Sequence, residues 1–240
     1  MFYKEYSKYY DDIRPMNKKA LDFLKKNFKF KKKLLDAACK TGELAINLTM
    51  EGHEVQAIDI DKNFVRVAKE KANNQDGLEL KFRDITPLEL GKNDNLNNYD
   101  GIYYLHDEIA YLQSGRDTKT ALKHLYKILK EDGVFILETL NFDKIINQNV
   151  ELLDVIIKEK EKISLTTELE REGDYINCIS KLLIEGKEFL NEELLVPILS
   201  DDIVEFLSVV GFRKIKTYGD YDGSKFDKEE SNKLIITCEK

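Results

Sequence analysis

An α/β fold, a mostly parallel sheet with helices on both faces, is what this sequence predicts, and three observations predict it. Between residues 34 and 137, short apolar strands alternate with stretches of helical spacing, the pattern of successive βαβ crossovers. The first of these strands, Leu34 and Leu35 running into Asp36, Ala37 and Ala38, shows no polar alternation, as a central strand covered on both faces requires. Beyond residue 140 the pattern changes to period-two alternation broken by turn signals, which marks a small antiparallel insertion before an α/β close.

Taken in order, residues 2 to 13 carry Phe2, Tyr3, Tyr6, Tyr9 and Tyr10 at helical spacing. A helix there either packs on the body through its aromatics or covers a ligand pocket. Pro15 suits the first turn of a second helix running to about Phe28, with Met16, Ala20, Leu21, Phe23 and Leu24 on its apolar face. After the Leu34 strand, the loop Cys39 to Gly42 leads into a helix from Glu43 to Met50 that Gly52 ends. Val55, Ala57 and Ile58 make a second buried strand closing at Asp59, and Asp61 can cap a helix from Lys62 to about Asn74.

Leu78, Leu80 and Phe82 alternate as a third strand ending near Asp84, while Pro87 and the asparagine-rich segment 93 to 98 mark loops. Gly101 to Leu105 is a fourth strand whose end opens onto His106, Asp107 and Glu108. A helix from about Asp117 to Lys130 follows, and Gly133 introduces a fifth strand, Val134 to Leu137, ending at Glu138 and Thr139. In the insertion, Ile163 to Glu170 and Tyr175 to Glu185 alternate around the turn Glu172-Gly173-Asp174, which predicts a hairpin with a third strand near Lys187 to Leu195. Ser200 caps a helix that Gly211 ends, and Phe212 to Thr217 and Lys233 to Cys238 read as two closing strands. The chain therefore divides into N-terminal helices and an α/β core over 1–140, an antiparallel β insertion over 141–199, and a closing helix and hairpin over 200–240.

Composition narrows the function classes. At 240 residues the chain can bury a sizeable core without disulfides or metals. Its lysines are interleaved with more acids, for a net charge of -7, so nucleic acid is not an expected partner. Three cysteines, odd in number and widely spaced in apolar contexts, predict reduced thiols and a cytoplasmic setting. The first residues lack a signal peptide's apolar core, and no apolar run approaches the roughly 18 residues of a membrane span, so a soluble protein with no membrane partner is expected. CxxC pairs, HExxH, GxSxG and GxxxxGK[ST] are all missing from the sequence, which removes zinc sites, common serine hydrolases and Walker-type NTPases as leading readings; no metal is expected.

Ligands of such sheets bind at the carboxyl ends of the strands, where strand order reverses. The loops after Ala38, Asp59, Phe82 and Leu105 then converge on one crevice. Asp59, ending the second strand of a βαβ unit, is an acceptor-only group placed to take both hydroxyl hydrogens of an adenosine ribose. Asp36 can orient the first loop or meet an ammonium group. Lys40 stands where such a loop usually has glycine, and its Cβ costs roughly 1–2 kcal/mol in a left-handed conformation.

With these residues in place, DAACKTGE followed by an acid at the end of the second strand resembles the opening motifs of the class I S-adenosylmethionine-dependent methyltransferases, D-x-G/A-C-G-T-G, with Lys40 in place of the second glycine. Asp84-Ile85 resembles the family's adenine contact. YDGIYYLHDEIAYL is similar to its fourth strand and following loop, and LKHLYKILKEDGVFILETLN to the next helix and fifth strand. LSVVGFRKIKTYGDYDG and SNKLIITCEK are similar to its closing helix and hairpin, so the likeness spans nearly the whole chain.

The resemblance implies a Rossmann-like seven-stranded, mostly parallel sheet closed by an antiparallel hairpin. It implies S-adenosyl-L-methionine as donor, S-adenosyl-L-homocysteine as product and no metal. Tyr10, Asp36, Ala38, Lys40, Gly42, Asp59, Ile60, Asp84, Ile85 and Leu105 become the cofactor-binding residues, Tyr10 in the family's YD position as a cover. The tyrosine helix and the insertion look most like small-molecule N-methyltransferases of the glycine and aminosugar types. The acceptor is then the amine or hydroxyl of a small molecule, the protein a monomer or homodimer, and His106 and Tyr111 the catalytic pair; Tyr111 lies where aminosugar members can carry a histidine base. The competing reading is a degenerate member of the fold, a non-catalytic nucleotide-binding or interaction module in which Lys40 closes the crevice.

Overall fold

In the computed structural model, which describes residues 1–75, 77–78, 80–92 and 98–240, a seven-stranded sheet forms the body and a separate four-stranded sheet packs over it. The elements of the body are helices α1 (Phe2–Ile13) and α2 (Lys18–Asn27), strand β1 (Lys33–Asp36), α3 (Glu43–Met50), β2 (Glu54–Ile58), α4 (Lys62–Asn73), β3 (Lys81–Arg83), β4 (Tyr99–Tyr104), α5 (Gly115–Ile128) and β5 (Leu129–Leu140). The insertion supplies α6 (Phe142–Asn147), β6 (Leu152–Lys158), β7 (Ile163–Glu172), β8 (Tyr175–Ile184) and β9 (Lys187–Leu195). Helix α7 (Ser200–Val210) and strands β10 (Arg213–Tyr218) and β11 (Lys233–Glu239) close the chain.

Strand order in the body is β10-β11-β5-β4-β1-β2-β3, with β11 antiparallel to both neighbours and the remaining pairs parallel. The order reverses between β1 and β4, so the crevice predicted for such sheets opens there. The strands bury residues on both faces: Leu35, Ile102, Phe135, Leu137 and Ile236 belong to a core shared with α5 and α7, while Leu34, Tyr103, Ile136 and Ile235 join a second core under α2, α3 and α4. That two-sided burial is why these strands read as unbroken apolar runs.

Several element ends differ from the sequence expectation for local reasons. Helix α2 starts at Lys18 rather than at Pro15, because the side chain of Asn17 accepts from the N–H of Ala20 and caps it there. Helix α5 starts two residues early, capped by Ser114, whose hydroxyl accepts from the N–H of Asp117. Strand β3 is shorter than the Leu78–Phe82 alternation suggests, and β5 is longer at both ends, pairing with Tyr99 of β4 at Leu129 and with β11 through Leu140. The asparagine-rich loop expected over 93 to 98 lies, apart from Asn98, outside the described residues.

The smaller sheet has the order β6-β7-β8-β9, antiparallel throughout. The hairpin and third strand are as expected, while β6 and α6 are additions. This sheet roofs the body through α1: Phe2, Tyr6, Tyr10 and Ile13 pack with Phe64 of α4 on one side and with Ile163, Leu165, Leu182 and Ile184 of the insertion on the other. Tyr10 and Tyr6 both meet the Phe64 ring edge to face. The tyrosine helix thus both packs and covers. Among the described residues, no helix is long and apolar enough to cross a membrane.

Candidate active site

The loop after β1 is threaded between its two neighbouring strands. The N–H of Ala37 donates to the Tyr103 carbonyl of β4 at 2.8 Å, and that of Cys39 to the Ile58 carbonyl of β2 at 2.9 Å. The carboxylate of Asp36 turns back to accept from the N–H of Ala38, and burial pushes its pKa up to about 8. Lys40 takes φ 49° and Gly42 φ 78°, so the lysine adopts the left-handed turn a glycine would have supplied. Gly42 is required on a second count: a Cβ there would sit 2.9 Å from the Phe82 ring and 3.1 Å from the Ala68 methyl. Its role is close packing of α3 against α4 and β3, while Ala38 is buried with its N–H engaged.

Asp59 fixes that loop from β2. Its Oδ2 accepts from the N–H of Lys40 at 2.8 Å and its Oδ1 from the N–H of Asp61 at 2.9 Å. It lines a crevice of about 620 Å³ with Ile60, Asp61, Phe64 and Gln113, and Ile60 presents its side chain there, 67% exposed. Asp84 is exposed one residue beyond Arg83, whose carbonyl receives the N–H of Asp59, and Ile85 packs against the core; neither lines this crevice. Leu105 and Tyr10 line a neighbouring cavity of about 280 Å³ together with Lys40, Thr41 and His106.

A third cavity, of about 460 Å³, lies between the loop after β4 and the insertion, and it gathers His106, Tyr111, Tyr10 and Lys40. His106 and Asp107 both have positive φ, 64° and 60°, which turns the chain sharply as it leaves β4. The N–H of His106 donates to Glu138 at the end of β5, and Glu138 also accepts from Lys233 at 2.7 Å and from the Tyr221 hydroxyl. Burial raises the pKa of Glu138, but Lys233, the neighbouring imidazole and these hydrogen bonds outweigh it and hold the group below its ordinary range. Burial also pushes His106 down to about 4, against the pull of Glu138, so the imidazole is neutral at physiological pH. Tyr111, in the 3-10 turn Glu108–Tyr111, is held protonated by burial.

Sequence reasoning missed what pairs with Lys40. Its ammonium forms an ion pair with Glu108, both side chains 13% exposed, and lies 5.1 Å over the Phe64 ring. It missed Arg14 as well, which donates to Tyr6 at 3.0 Å and to Asp154 of β6 at 2.6 Å. In both pairs the partners are distant in sequence, and only His106-Asp107-Glu108 was visible, as polar residues at a strand end. Among the described residues no group of three or more metal-ligating side chains converges.

Comparison with known proteins agrees with this geometry. The sequence model of a family described as a methyltransferase domain matches residues 35–135. A Geobacillus sp. (strain WCH70) protein, whose description goes no further than methyltransferase, is 29% identical over 58% of this chain and 57% of its own length. The glycine/sarcosine/dimethylglycine N-methyltransferase of Actinopolyspora halophila is 27% identical over 86% of this chain and 36% of its own. The chain thus spans from about a third to just over half of the length of these two relatives. A crystal structure of an S-adenosylmethionine-dependent methyltransferase from Clostridium acetobutylicum superposes with a TM-score of 0.81 at 21% identity, covering 100% of this chain and 99% of that one. Fold and strand order define a Rossmann-like α/β protein with a separate antiparallel sheet. Over residues 35–135 the chain is similar to methyltransferase domains, and its fold is that of S-adenosylmethionine-dependent methyltransferases.

Proposed function

We propose that this protein transfers a methyl group from S-adenosylmethionine to an amine or hydroxyl of a small molecule. The observation that carries the reading is Asp59. It holds the backbone of the first loop at the strand-order reversal, where its crevice adjoins the cavity under the insertion through the shared residues Tyr3, Lys40, Glu108, Tyr111 and Glu193. The residues fit the donor. Each oxygen of Asp59 receives one backbone N–H and keeps a second acceptor direction for a ribose hydroxyl, and exposed Ile60 offers an apolar surface for an adenine face. Lys40, Leu105 and Tyr10, which line the neighbouring cavity, would meet the methionine end; Asp36, Ala38 and Gly42 would act through the shape of the loop, and Asp84 and Ile85 lie outside the crevice.

The sulfonium of the donor supplies a methyl group that is already activated. The protein's part is alignment, exclusion of water and removal of a proton. The roof formed by α1 and the 141–199 insertion excludes water from the cavity. His106, neutral and facing that cavity, is placed to accept the nucleophile's proton, and protonated Tyr111 to orient the acceptor by donating a hydrogen bond. No residue in this scheme needs a metal. The buried free cysteines Cys39, Cys178 and Cys238 accord with a reducing, cytoplasmic setting for a monomer or homodimer.

The Lys40–Glu108 pair is the observation that favours the other reading, a non-catalytic module, since it stands between the crevice and the cavity under the insertion. Calorimetric titration of S-adenosylmethionine and S-adenosylhomocysteine, followed by transfer of labelled methyl to small amines, tests the proposal. Saturable binding with transfer supports it, and binding without transfer to any amine or alcohol moves the protein to the second reading.

A further inference from the structure

We infer that the acceptor is a hydroxylated amine without a carboxylate, and that Asp107 and Asp154 are the residues that recognise it; this rests on the methyl-transfer reading above. The two carboxylates face the 460 Å³ cavity from opposite sides, Asp107 from the loop after β4 and Asp154 from β6 of the roof. Each commits one oxygen to a cation: Asp154 Oδ2 to Arg14 at 2.6 Å, Asp107 Oδ2 to Lys233 at 3.9 Å. The other oxygen of each, Oδ1, is shut off from solvent and has no hydrogen-bond partner. A buried carboxylate oxygen without a donor is costly, and because both residues line one cavity, a ligand whose N–H or O–H groups draw either carboxylate round toward it would relieve that cost.

The roof around Asp154 has the same character. Asp154 pairs in register with Thr167, and Thr167 with Ser180, so a polar row crosses three strands, and all three residues line the cavity. The next inward row, Ile156, Leu165 and Leu182, is apolar and packs on α1. Alternation therefore does not explain the polar row; a polar occupant does.

The cations explain why that occupant carries no carboxylate. Arg14, Lys40 and Lys233 line the cavity, and each already faces an acid, namely Asp154, Glu108 and Glu138. Lys144, the fourth, donates to the Glu230 carbonyl and to the side chain of Asn232. A substrate carboxylate would have to displace one of these acceptors and would meet the free oxygens of Asp107 and Asp154, whereas a donor-rich substrate completes them.

Calorimetry separates the claims. Nucleotide is titrated first on its own. D-glucosamine, D-galactosamine and ethanolamine are then titrated, with glycine and sarcosine as the carboxylated counterparts, both with and without saturating S-adenosylhomocysteine, so that loss of donor binding and loss of acceptor binding register separately. The expected result is saturable binding of at least one hydroxylated amine, none of either amino acid, and about tenfold weaker binding of that amine by Asp107→Asn and by Asp154→Asn with nucleotide affinity unchanged. If Asp154→Asn fails to fold, Ser180→Ala on the same row is expected to weaken the amine severalfold. The inference is overturned if glycine or sarcosine binds more tightly than all three hydroxylated amines, if none of those three binds, or if the folded variants bind as the parent does.

Discussion

Lys40 and Glu108 meet where the crevice adjoins the cavity under the insertion, an ammonium from the loop after β1 and a carboxylate from the loop after β4, with the Phe64 ring beneath the ammonium. The residue that interrupts the glycine pattern therefore leaves the backbone turn intact and is turned to a structural use: it ties together the two loops between which the site lies. Lys40→Ala leaves Glu108 enclosed without its partner and is expected to cost about 3 kcal/mol of folding stability. The double variant Lys40→Ala/Glu108→Ala should lose less than the two single losses added, as read by denaturant unfolding of all four proteins.

Lys40→Gly bears on function. Glycine takes the same φ of 49° without strain, so Asp59 keeps its loop, and nucleotide affinity should stay within a fewfold of the parent. Affinity that appears only in the variant would mean that the lysine closes the site. Titration calorimetry of both proteins distinguishes the outcomes.

Gly42 should tolerate no side chain. Gly42→Ala adds a left-handed penalty of about 1–2 kcal/mol to the close contacts with Phe82 and Ala68, for a total of about 2–4 kcal/mol. The loss should appear as a lower melting temperature with no change in the residues that face the crevice.

His106 sets a pH dependence with a definite sign. Its pKa is lowered from 6.5 to about 4 by burial, so the unfolded chain binds the extra proton first as pH falls. Its contribution to stability is complete above 6.5 and is lost as pH drops through 4. His106→Gln should flatten the stability profile over that window relative to the parent, measured by urea unfolding at several pH values. A variant profile as steep as the parent's would show that the imidazole is not desolvated.

Much of this was legible in the sequence because strands buried on both faces announce themselves: Leu34, Leu35, Ile102, Tyr103 and Ile136 leave no polar phase to misread. The position of Asp59 was legible because the apolar run Val55, Ala57, Ile58 fixes where β2 ends. Strand β6 was hidden for the opposite reason. Its outward residues Val155 and Ile157 are as apolar as inward Ile156, so no period of two marks it, and Asp154 was lost with it. Glu108 was hidden by the backbone: the left-handed turn at His106 and Asp107 is made without glycine, so nothing in the sequence signalled that the chain doubles back toward Lys40.

Asp59 is the test of the whole account. Titration of S-adenosylhomocysteine into the parent protein is predicted to give saturable one-to-one binding, and Asp59→Ala is predicted to weaken it by well over tenfold, because the variant removes the proposed ribose acceptor and frees the Lys40 N–H together. A parent that binds neither S-adenosylmethionine nor S-adenosylhomocysteine, or an Asp59→Ala protein that binds as the parent does, would contradict it.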